Sequence, residues 1–308
     1  MAAYLELYYS GKLAERVETA SALLKNCQVC PHNCGINRLA DETGKCHTGK
    51  LAVVSSYGPH FGEEAPLVGK HGSGTIFFTN CSLTCLFCQN YAISQLGDGT
   101  EVSKEELARM MLALQVKGCH NINLVSPTHV VPQILEGLEI AINLGLRLPL
   151  VYNSGGYDSA KTLEILDGIV DIYMPDMKYS DEKIAEELSG IKNYPSINRA
   201  ALKEMYRQTG DLQIDEEGIA VRGLLIRHLV LPHGLAGTKE IMEFLAGEIS
   251  QNSYVNVMAQ YHPHYKAHQI PQLTRPLLKQ EFLEAIELAK GAGLNRLDKF
   301  HPAIARAI

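Results

Sequence analysis

The chain lacks the features that mark membrane proteins and duplex-binding proteins. None of its 308 residues belongs to an apolar stretch long enough to span a bilayer. Residues 1–26 show no basic start followed by an apolar core, so we expect no signal peptide. The net charge is −6 and no long basic run occurs, so we expect neither a membrane nor nucleic acid among its partners, although a folded RNA or protein substrate is compatible with this charge.

Cysteine, by contrast, is abundant and clustered. In a small secreted protein the eight cysteines would predict disulfides. In a chain of enzyme size without a signal sequence, their clustering predicts metal binding in a reducing, cytoplasmic compartment. The composition, 46% hydrophobic and 20% charged, is that of a globular protein with room for a large α/β domain and a small appendage.

Three cysteines, Cys81, Cys85 and Cys88, form a C-x3-C-x2-C run directly after the apolar, β-prone stretch 74–79. Thiolates bind soft metals and iron–sulfur clusters. In a 4Fe-4S cubane, three cysteines would leave one iron without a protein ligand, and an open coordination position distinguishes a reactive site from a structural one. The run therefore predicts an enzyme whose cluster binds a further ligand. The alternative is a structural zinc site or a redox cysteine cluster.

At these residues the chain resembles the radical S-adenosylmethionine (SAM) enzymes. Cys88-Gln89-Asn90 is similar to the activating enzymes of glycyl radical enzymes, such as pyruvate formate-lyase activating enzyme. The resemblance implies a 4Fe-4S cluster on Cys81, Cys85 and Cys88, whose open iron chelates the amino and carboxylate groups of SAM, with Asn90 among the cofactor contacts. One electron, from a donor such as flavodoxin or ferredoxin, would cleave SAM to methionine and a 5′-deoxyadenosyl radical.

From Gly74 onward, β-branched runs alternate with amphipathic segments, which predicts repeated βα units and a parallel sheet. The predicted strands are 74–79, 121–126, 148–152, 169–174, 224–231 and 254–261. The predicted helices are 103–118, 131–144, 159–167, 180–189, 195–208, 238–250 and 278–291. Ser103 and Glu106 would form a capping box on the first of these helices. The resemblance implies an α/β fold in which the six units form a partial (β/α)6 TIM-like barrel.

A second set of cysteines lies near the amino terminus. Cys27, Cys30, Cys34 and Cys46, punctuated by proline and glycine, are typical of a closed tetrathiolate site. So small a segment has no core of its own, so a metal would hold it together. Zinc, an iron–sulfur cluster, His32 in place of one thiolate, and no metal at all are the alternatives. The Cys-x2-Cys-Pro-His-x-Cys form is similar to a segment in a branch of activase-like radical SAM proteins.

The division of the chain follows from this pattern. We expect residues 1–70 to form an N-terminal helix and cysteine-rich metal-binding segment, and residues 71–308 to form the partial barrel. The boundary is placed near residues 65–72, where glycine, proline and histidine interrupt the pattern.

Polar residues follow the ends of the predicted strands, where parallel α/β barrels carry their chemistry. The resemblance implies that Lys178 contacts the SAM carboxylate, with Asp176 close by, and that His262 helps to hold SAM. A solvated lysine is the plainer interpretation of Lys178. His262 with His264 and His268 could also suggest a metal site, but Pro263 makes their spacing poor for one helical face.

Two further strand ends depart from the family pattern. Ser126 and Thr128 stand where many radical SAM enzymes carry a Gly-Gly-Glu motif for the SAM amino group; their hydroxyls could accept from an ammonium, or Thr128 could cap helix 131–144. Asn153 and Ser154 are neutral where the activases carry an acidic residue and a threonine. Two glycines follow them and permit a tight turn or a close approach to a ligand.

These observations predict a radical SAM enzyme that abstracts hydrogen from a substrate, first of all a glycine of a glycyl radical enzyme. The alternatives are radical modification of a small molecule or another macromolecule, and a non-enzymatic iron–sulfur or zinc module that acts as a redox sensor. No residue is an obvious acid–base catalyst. His228 and His233 could face a substrate, and Cys119, alone in the sequence, is expected to be a buried apolar residue.

Overall fold

The computed structural model describes residues 2–298 and is built around one mostly parallel sheet. The strands are β1 (Ala52–His60), β2 (Ser73–Phe78), β3 (Thr100–Val102), β4 (Ile122–Val125), β5 (Leu150–Ser154), β6 (Ile172–Pro175), β7 (Gln213–Ile214), β8 (Ala220–Leu229), β9 (Tyr254–Met258) and β10 (Arg296–Leu297). Their order is β10-β9-β8-β6-β5-β4-β2-β1-β3, with β7 paired to β8.

All six predicted strands are present and are parallel to one another, as β2, β4, β5, β6, β8 and β9. The apolar strand β5 is buried along its whole length, as expected of a parallel strand covered on both faces. Since β3 and β10 end the sheet without pairing with each other, the curved sheet is a partial barrel. The predicted fold class is confirmed.

Helices cover the sheet. They are α1 (Tyr4–Tyr9), α2 (Lys12–Ala22), α3 (Ala65–Val68), α4 (Tyr91–Ser94), α5 (Lys104–Val116), α6 (Val131–Asn143), α7 (Ala160–Leu166), α8 (Glu182–Ser189), α9 (Tyr194–Thr209), α10 (Thr238–Phe244) and α11 (Lys279–Gly291). A π-helical turn, Leu245–Ile249, extends α10. The capping box is confirmed, because Glu106 N–H donates to Ser103 Oγ and Ser103 N–H donates to the Glu106 carboxylate. In residues 2–298, no helix is both long and apolar enough to cross a membrane.

The N-terminal residues extend the barrel sheet. Strand β1, which was not predicted, runs antiparallel to β2 on one side and to β3 on the other. Helix α2 packs against α6 and α7. The boundary expected near residues 65–72 therefore falls between two paired strands, and the division at residue 70 stays a prediction.

The connection between β1 and β2 enters the barrel lumen from its amino-terminal end. His60 pairs with Ser73, the first residue of β2, so the chain leaves β1 at the end of the barrel opposite the carboxyl ends of the parallel strands. Helix α3 then places Leu67 in a buried cluster with Val151 and Ile172 of the sheet. The segment 60–69 is called the floor segment below.

Replacing Leu67 by alanine tests whether the floor segment is packed into the lumen. Leu67 is completely buried, so Leu67→Ala is expected to lower the free energy of unfolding by about 2–5 kcal/mol. Leu283→Ala, at a leucine of α11 that is 52% exposed, is the matched control and should change it by less than about 0.5 kcal/mol. The measurement is denaturant unfolding. Equal effects of the two substitutions would contradict the packed floor.

Candidate active site at the strand ends

The three clustered cysteines lie in a loop, residues 79–90, that follows β2 and is held at several points. Thr84 and Leu86 donate backbone N–H groups to the carbonyls of Ser189 and Leu188 at the end of α8. Lys266, in the loop after β9, donates its N–H to Leu86 O. This segment, the cluster loop, is thus fixed to elements on both sides of the barrel opening.

Each of the three thiols has a hydrogen-bond partner of its own. Leu83 N–H donates to Cys81 Sγ at 3.4 Å, and Ser189 Oγ–H donates to Cys85 Sγ at 3.0 Å. Cys88 Sγ lies 3.1 Å from Ser94 Oγ. Burial raises the pKa of the Cys81 thiol to about 12. Burial also raises the pKa of the Cys85 thiol, which the charge of Lys178 lowers and the neighbouring Cys88 raises further.

The thiols suit a cluster better than a single metal ion. Within residues 2–298, no three His, Cys, Asp or Glu side chains converge closely enough to hold one ion. A cubane distributes its thiolate ligands over separate irons, so its cysteines need not meet at one point. The loop offers three cysteines, mutually close enough to influence each other's ionisation, with hydrogen-bond donors of the kind that tune iron–sulfur clusters. The residues therefore fit a 4Fe-4S cluster.

Next to this loop, one carboxylate is bonded to two partly buried cations. Asp176, which follows β6, accepts from Lys178 Nζ at 2.6 Å and from the Arg227 guanidinium at 2.9 Å. Burial alone would raise the pKa of Asp176, but the charges of Arg227 and Lys178 hold it below its usual range. Burial disfavours the ammonium form of Lys178, but Asp176 and Cys85 raise its pKa. Lys178 is thus an ion-paired cation beside the cluster loop with a side chain only 18% exposed, and its interpretation as a solvated lysine is wrong.

The turn after β5 approaches the cluster loop closely. Gly156 has φ of +74°, and a Cβ there would lie 2.1 Å from Asp176 O. A Cβ on Gly155 would lie 2.7 Å from Leu83 Cδ1. No larger residue fits at Gly156, where the clash is with backbone, whereas at Gly155 the Leu83 side chain would have to move. The two glycines thus let this strand end pack directly against the Asp176 and cluster-loop segments.

Thr128 and Ser154, predicted to contact SAM, bind an aspartate that the sequence did not reveal. Thr128 Oγ1, Tyr152 OH and Ser154 Oγ donate to the buried Asp158 carboxylate at 2.7, 2.9 and 2.6 Å. A contact of either hydroxyl with SAM would therefore have to use its lone pairs. Thr128 does not cap a helix, since α6 begins after Val130 without a side-chain cap.

The other residues predicted to contact SAM lie at different places around the barrel opening. Asn90 and Asn153 line the central cavity described below. Ser126 has a left-handed backbone, with φ of +58°, directly after β4. His262 is exposed and does not line that cavity, which Ala259 and Gln260 border instead.

Three other residues singled out in the sequence can be placed. His228 is completely buried, with Nδ1 bonded to Met177 O and Nε2 bonded to Thr238 Oγ1, so its assignment to the substrate is wrong. His233 is bonded through its backbone N–H to Glu281, near α11. Cys119 is buried, as predicted.

The N-terminal cysteines, which form no disulfides, lie near one another and beside the cluster loop. Burial raises the pKa of the Cys30 thiol to about 12, with smaller contributions from Cys46, Cys27 and Cys34. His32 Nε2 lies 2.7 Å from Ser82 O, which faces it from the cluster loop. His32 is thus engaged with that loop.

A second contact joins the two cysteine sets. Asn80, at the start of the cluster loop, donates to Thr48 Oγ1 at 3.2 Å. Residues 27–48 form what we call the cysteine knuckle. Through its contacts with Asn80 and Ser82, the knuckle holds the residues on both sides of Cys81.

A cavity of about 750 Å³ opens beside the cluster loop and extends into the barrel lumen. Its lining comes from the strands, the cluster loop, the floor segment and the loop after β9; the polar members are His60, Glu63, Glu64, Gln89, Asn90, Asn153, Arg227, Asn256, Gln260 and Asp298. Cavities of this size hold small molecules and cofactors. Arg227, Glu63 and Glu64 were not predicted, although an arginine within the apolar stretch 224–231 indicated a buried partner.

Comparison with known proteins decides the family. Residues 75–208 match the radical SAM superfamily. An uncharacterized protein of Methanocaldococcus jannaschii is 34% identical over 304 residues, covering 94% of this chain and 82% of that protein. The chain belongs to the radical SAM superfamily. Membership implies an enzyme with a 4Fe-4S cluster, SAM and a reductant. It therefore does not favour the alternative of a non-enzymatic iron–sulfur or zinc module.

Solved structures share the radical SAM fold at low identity. SuiB of Streptococcus suis, solved with its precursor peptide SuiA, is 15% identical with a TM-score of 0.51, over 74% of this chain and 49% of SuiB. A radical SAM methyltransferase from Sphaerobacter thermophilus is 15% identical with a TM-score of 0.49, over 71% of this chain and 64% of that one. The chain spans less than two thirds of either structure, and the likeness to SuiB supports the fold alone.

Of the residues in this site, Asp176 is the one whose removal should lower the free energy of unfolding most. Asp176→Asn would leave Lys178 and Arg227, whose side chains are 18% and 20% exposed, without their shared carboxylate. The free energy of unfolding should therefore fall by about 2–4 kcal/mol, somewhat less than for a fully buried pair. Asp167→Asn, which breaks the exposed pair with Arg207, should have little effect. Denaturant unfolding of both variants measures the difference. Wild-type stability of Asp176→Asn would show that the shared carboxylate is dispensable.

Proposed function

We propose that this radical SAM enzyme abstracts hydrogen from an organic substrate held in the lumen cavity. The observation that carries the proposal is the position of the three hydrogen-bonded thiols beside the buried Lys178–Asp176 pair, next to a polar cavity. When bound, the reduced cluster supplies the electron that cleaves SAM to methionine and a 5′-deoxyadenosyl radical.

The chain's own residues would bind and orient the reactants. Cys81, Cys85 and Cys88 would hold the cluster. The Lys178 ammonium, oriented by Asp176, would bind the SAM carboxylate, since a buried cation fits that group. The rest of SAM would contact polar side chains around the barrel opening, namely Asn90, Ser126, Thr128, Asn153, Ser154 and His262. Enclosure in the lumen would keep water from the reacting atoms.

The cavity favours a small molecule, or one side chain of a macromolecule, as the substrate. The floor segment closes the lumen below, and the lining carries carboxylates that a bare glycine backbone would not use.

Activation of a glycyl radical enzyme stays an alternative, and would require an extended glycine loop to enter past Gln89 and Gln260. Mixing the reduced enzyme and SAM with pyruvate formate-lyase, and recording the glycyl radical by electron paramagnetic resonance, tests it.

We also propose that the cysteine knuckle binds a metal through Cys27, Cys30, Cys34 and Cys46. The metal is either an iron–sulfur cluster, whose irons need not share one point, or zinc, for which these thiols would have to draw closer together than they lie in the structure. The mutual influence of the thiols supports this proposal. The contacts of the knuckle with Asn80 and Ser82 indicate its role, which is to hold the cluster loop in place.

Cys85→Ala tests the cluster assignment. After anaerobic reconstitution with iron and sulfide, followed by dithionite and SAM, the wild-type protein should form 5′-deoxyadenosine and the variant should form none. Cys119→Ala, at a buried cysteine outside both sets, is the matched control and should retain the activity. Product formation by Cys85→Ala would overturn the site. An intact reduced wild-type cluster that binds SAM without cleaving it, even with substrate present, would overturn the function.

Cys30→Ala tests the knuckle. The variant should lose about one zinc ion or one iron–sulfur cluster per chain, and residues 27–48 should become more sensitive to protease, since metal binding stabilises so small a segment. Elemental analysis and limited proteolysis, again with Cys119→Ala as control, measure both effects. A wild-type protein whose metal is fully accounted for by Cys81, Cys85 and Cys88 would contradict the proposal.

A further inference from the structure

The floor of the cavity carries a glutamate with an unused carboxylate oxygen. Glu64 is 5% exposed, and its Oε1 accepts from Asn256 Nδ2 at 2.9 Å. Its Oε2 is buried without a hydrogen-bond partner among residues 2–298. Nearly all buried polar atoms in proteins are hydrogen-bonded, so this oxygen needs a donor, and a ligand in the cavity that Glu64 lines can supply one once the carboxylate turns toward the opening. Burial raises the pKa of Glu64, and a bound cation would lower it again.

The two cations near Glu64 are bonded to other carboxylates. Glu63 and Glu64 line this part of the cavity together with Arg227 and His60. The guanidinium of Arg227 is bound to Asp176, and His60 Nδ1 is paired with Glu63 Oε1 at 2.9 Å. Arg227 also acts on Glu64 through its charge, but the ion pairs of the part of the chain that the structure describes include none to the Glu64 carboxylate, so a positively charged ligand would supply one.

The position of Glu64 separates it from the contacts proposed for SAM. The floor segment enters from the amino-terminal end of the barrel, because His60 pairs with Ser73. Asn90 and Lys178 follow the carboxyl ends of β2 and β6 at the other end. A ligand group bound to Glu64 thus belongs to the substrate side of the cavity.

We propose that Glu64, assisted by the charge of Glu63, binds a primary ammonium group of the substrate. This inference rests on the proposed function and specifies its substrate class. One free oxygen suits the point charge of an ammonium better than a guanidinium, which prefers two coplanar oxygens. The substrate is accordingly a small amine or a lysine side chain that reaches down the lumen.

Matched pairs of charged and uncharged probes test the proposal on the reconstituted protein with SAM bound. The pairs are 1,5-diaminopentane with 1,5-pentanediol, and Nα-acetyl-lysine amide with Nα-acetyl-norleucine amide. Anaerobic titration calorimetry should show that the wild-type protein binds the charged member of at least one pair about tenfold more tightly or better, the size of effect that a charge-assisted hydrogen bond provides. Absence of a preference in both pairs overturns the proposal.

The variants assign the preference to Glu64. Glu64→Gln should abolish it, and Glu63→Gln should weaken it. Glu105→Gln, at an exposed glutamate of α5, should leave it unchanged. If Glu64→Gln does not fold, an undiminished preference in Glu63→Gln overturns the proposal. A parallel loss of SAM affinity in Glu64→Gln would also overturn it, since Glu64 would then bind SAM.

A parallel assay separates this inference from the function on which it rests. The wild-type protein should form 5′-deoxyadenosine whatever the probes show. If it does so and the amine preference is absent, only the substrate inference fails. If it fails to cleave SAM even with amine bound, the proposed function fails, and an amine preference that depends on Glu64 would still support the binding site.

Discussion

The Asp176 carboxylate is the point on which the site depends. It binds Lys178, which lies beside the cluster loop, and Arg227, which lines the lumen. Met177 N–H also donates to Arg227 O, so the ends of β6 and β8 are joined by backbone as well as by charge. Two buried cations are tolerated because one anion serves both. Lys178 and Arg227 are held in place because both bind the Asp176 carboxylate.

Through this pairing, charged side chains that act on one another reach from the cluster loop to the floor of the barrel lumen. Cys85 and Asp176 act on Lys178, and Glu64 and Glu63 act on Arg227. A cofactor carboxylate at one end and a cationic substrate group at the other would both find an opposite charge. The two ligand groups that we propose would thus lie at opposite ends of one series of charged side chains.

The N-terminal residues shape the same site from two directions. The cysteine knuckle contacts the cluster loop on both sides of Cys81, and the floor segment brings Glu63 and Glu64 into the lumen. The N-terminal region is therefore a part of the proposed active site.

Sequence by itself determined the six parallel strands and the spacing of the three cysteines, because buried β-branched runs and local thiol spacing do not depend on distant residues. It did not reveal β1 or β3, whose half-exposed antiparallel pairing leaves no continuous apolar run. Only the tertiary structure decided that Thr128 and Ser154 share Asp158, that Arg227 shares Asp176, and that Glu64 reaches the lumen. These contacts join residues from different strand ends, and the side-by-side pairing of the parallel strands brings them together.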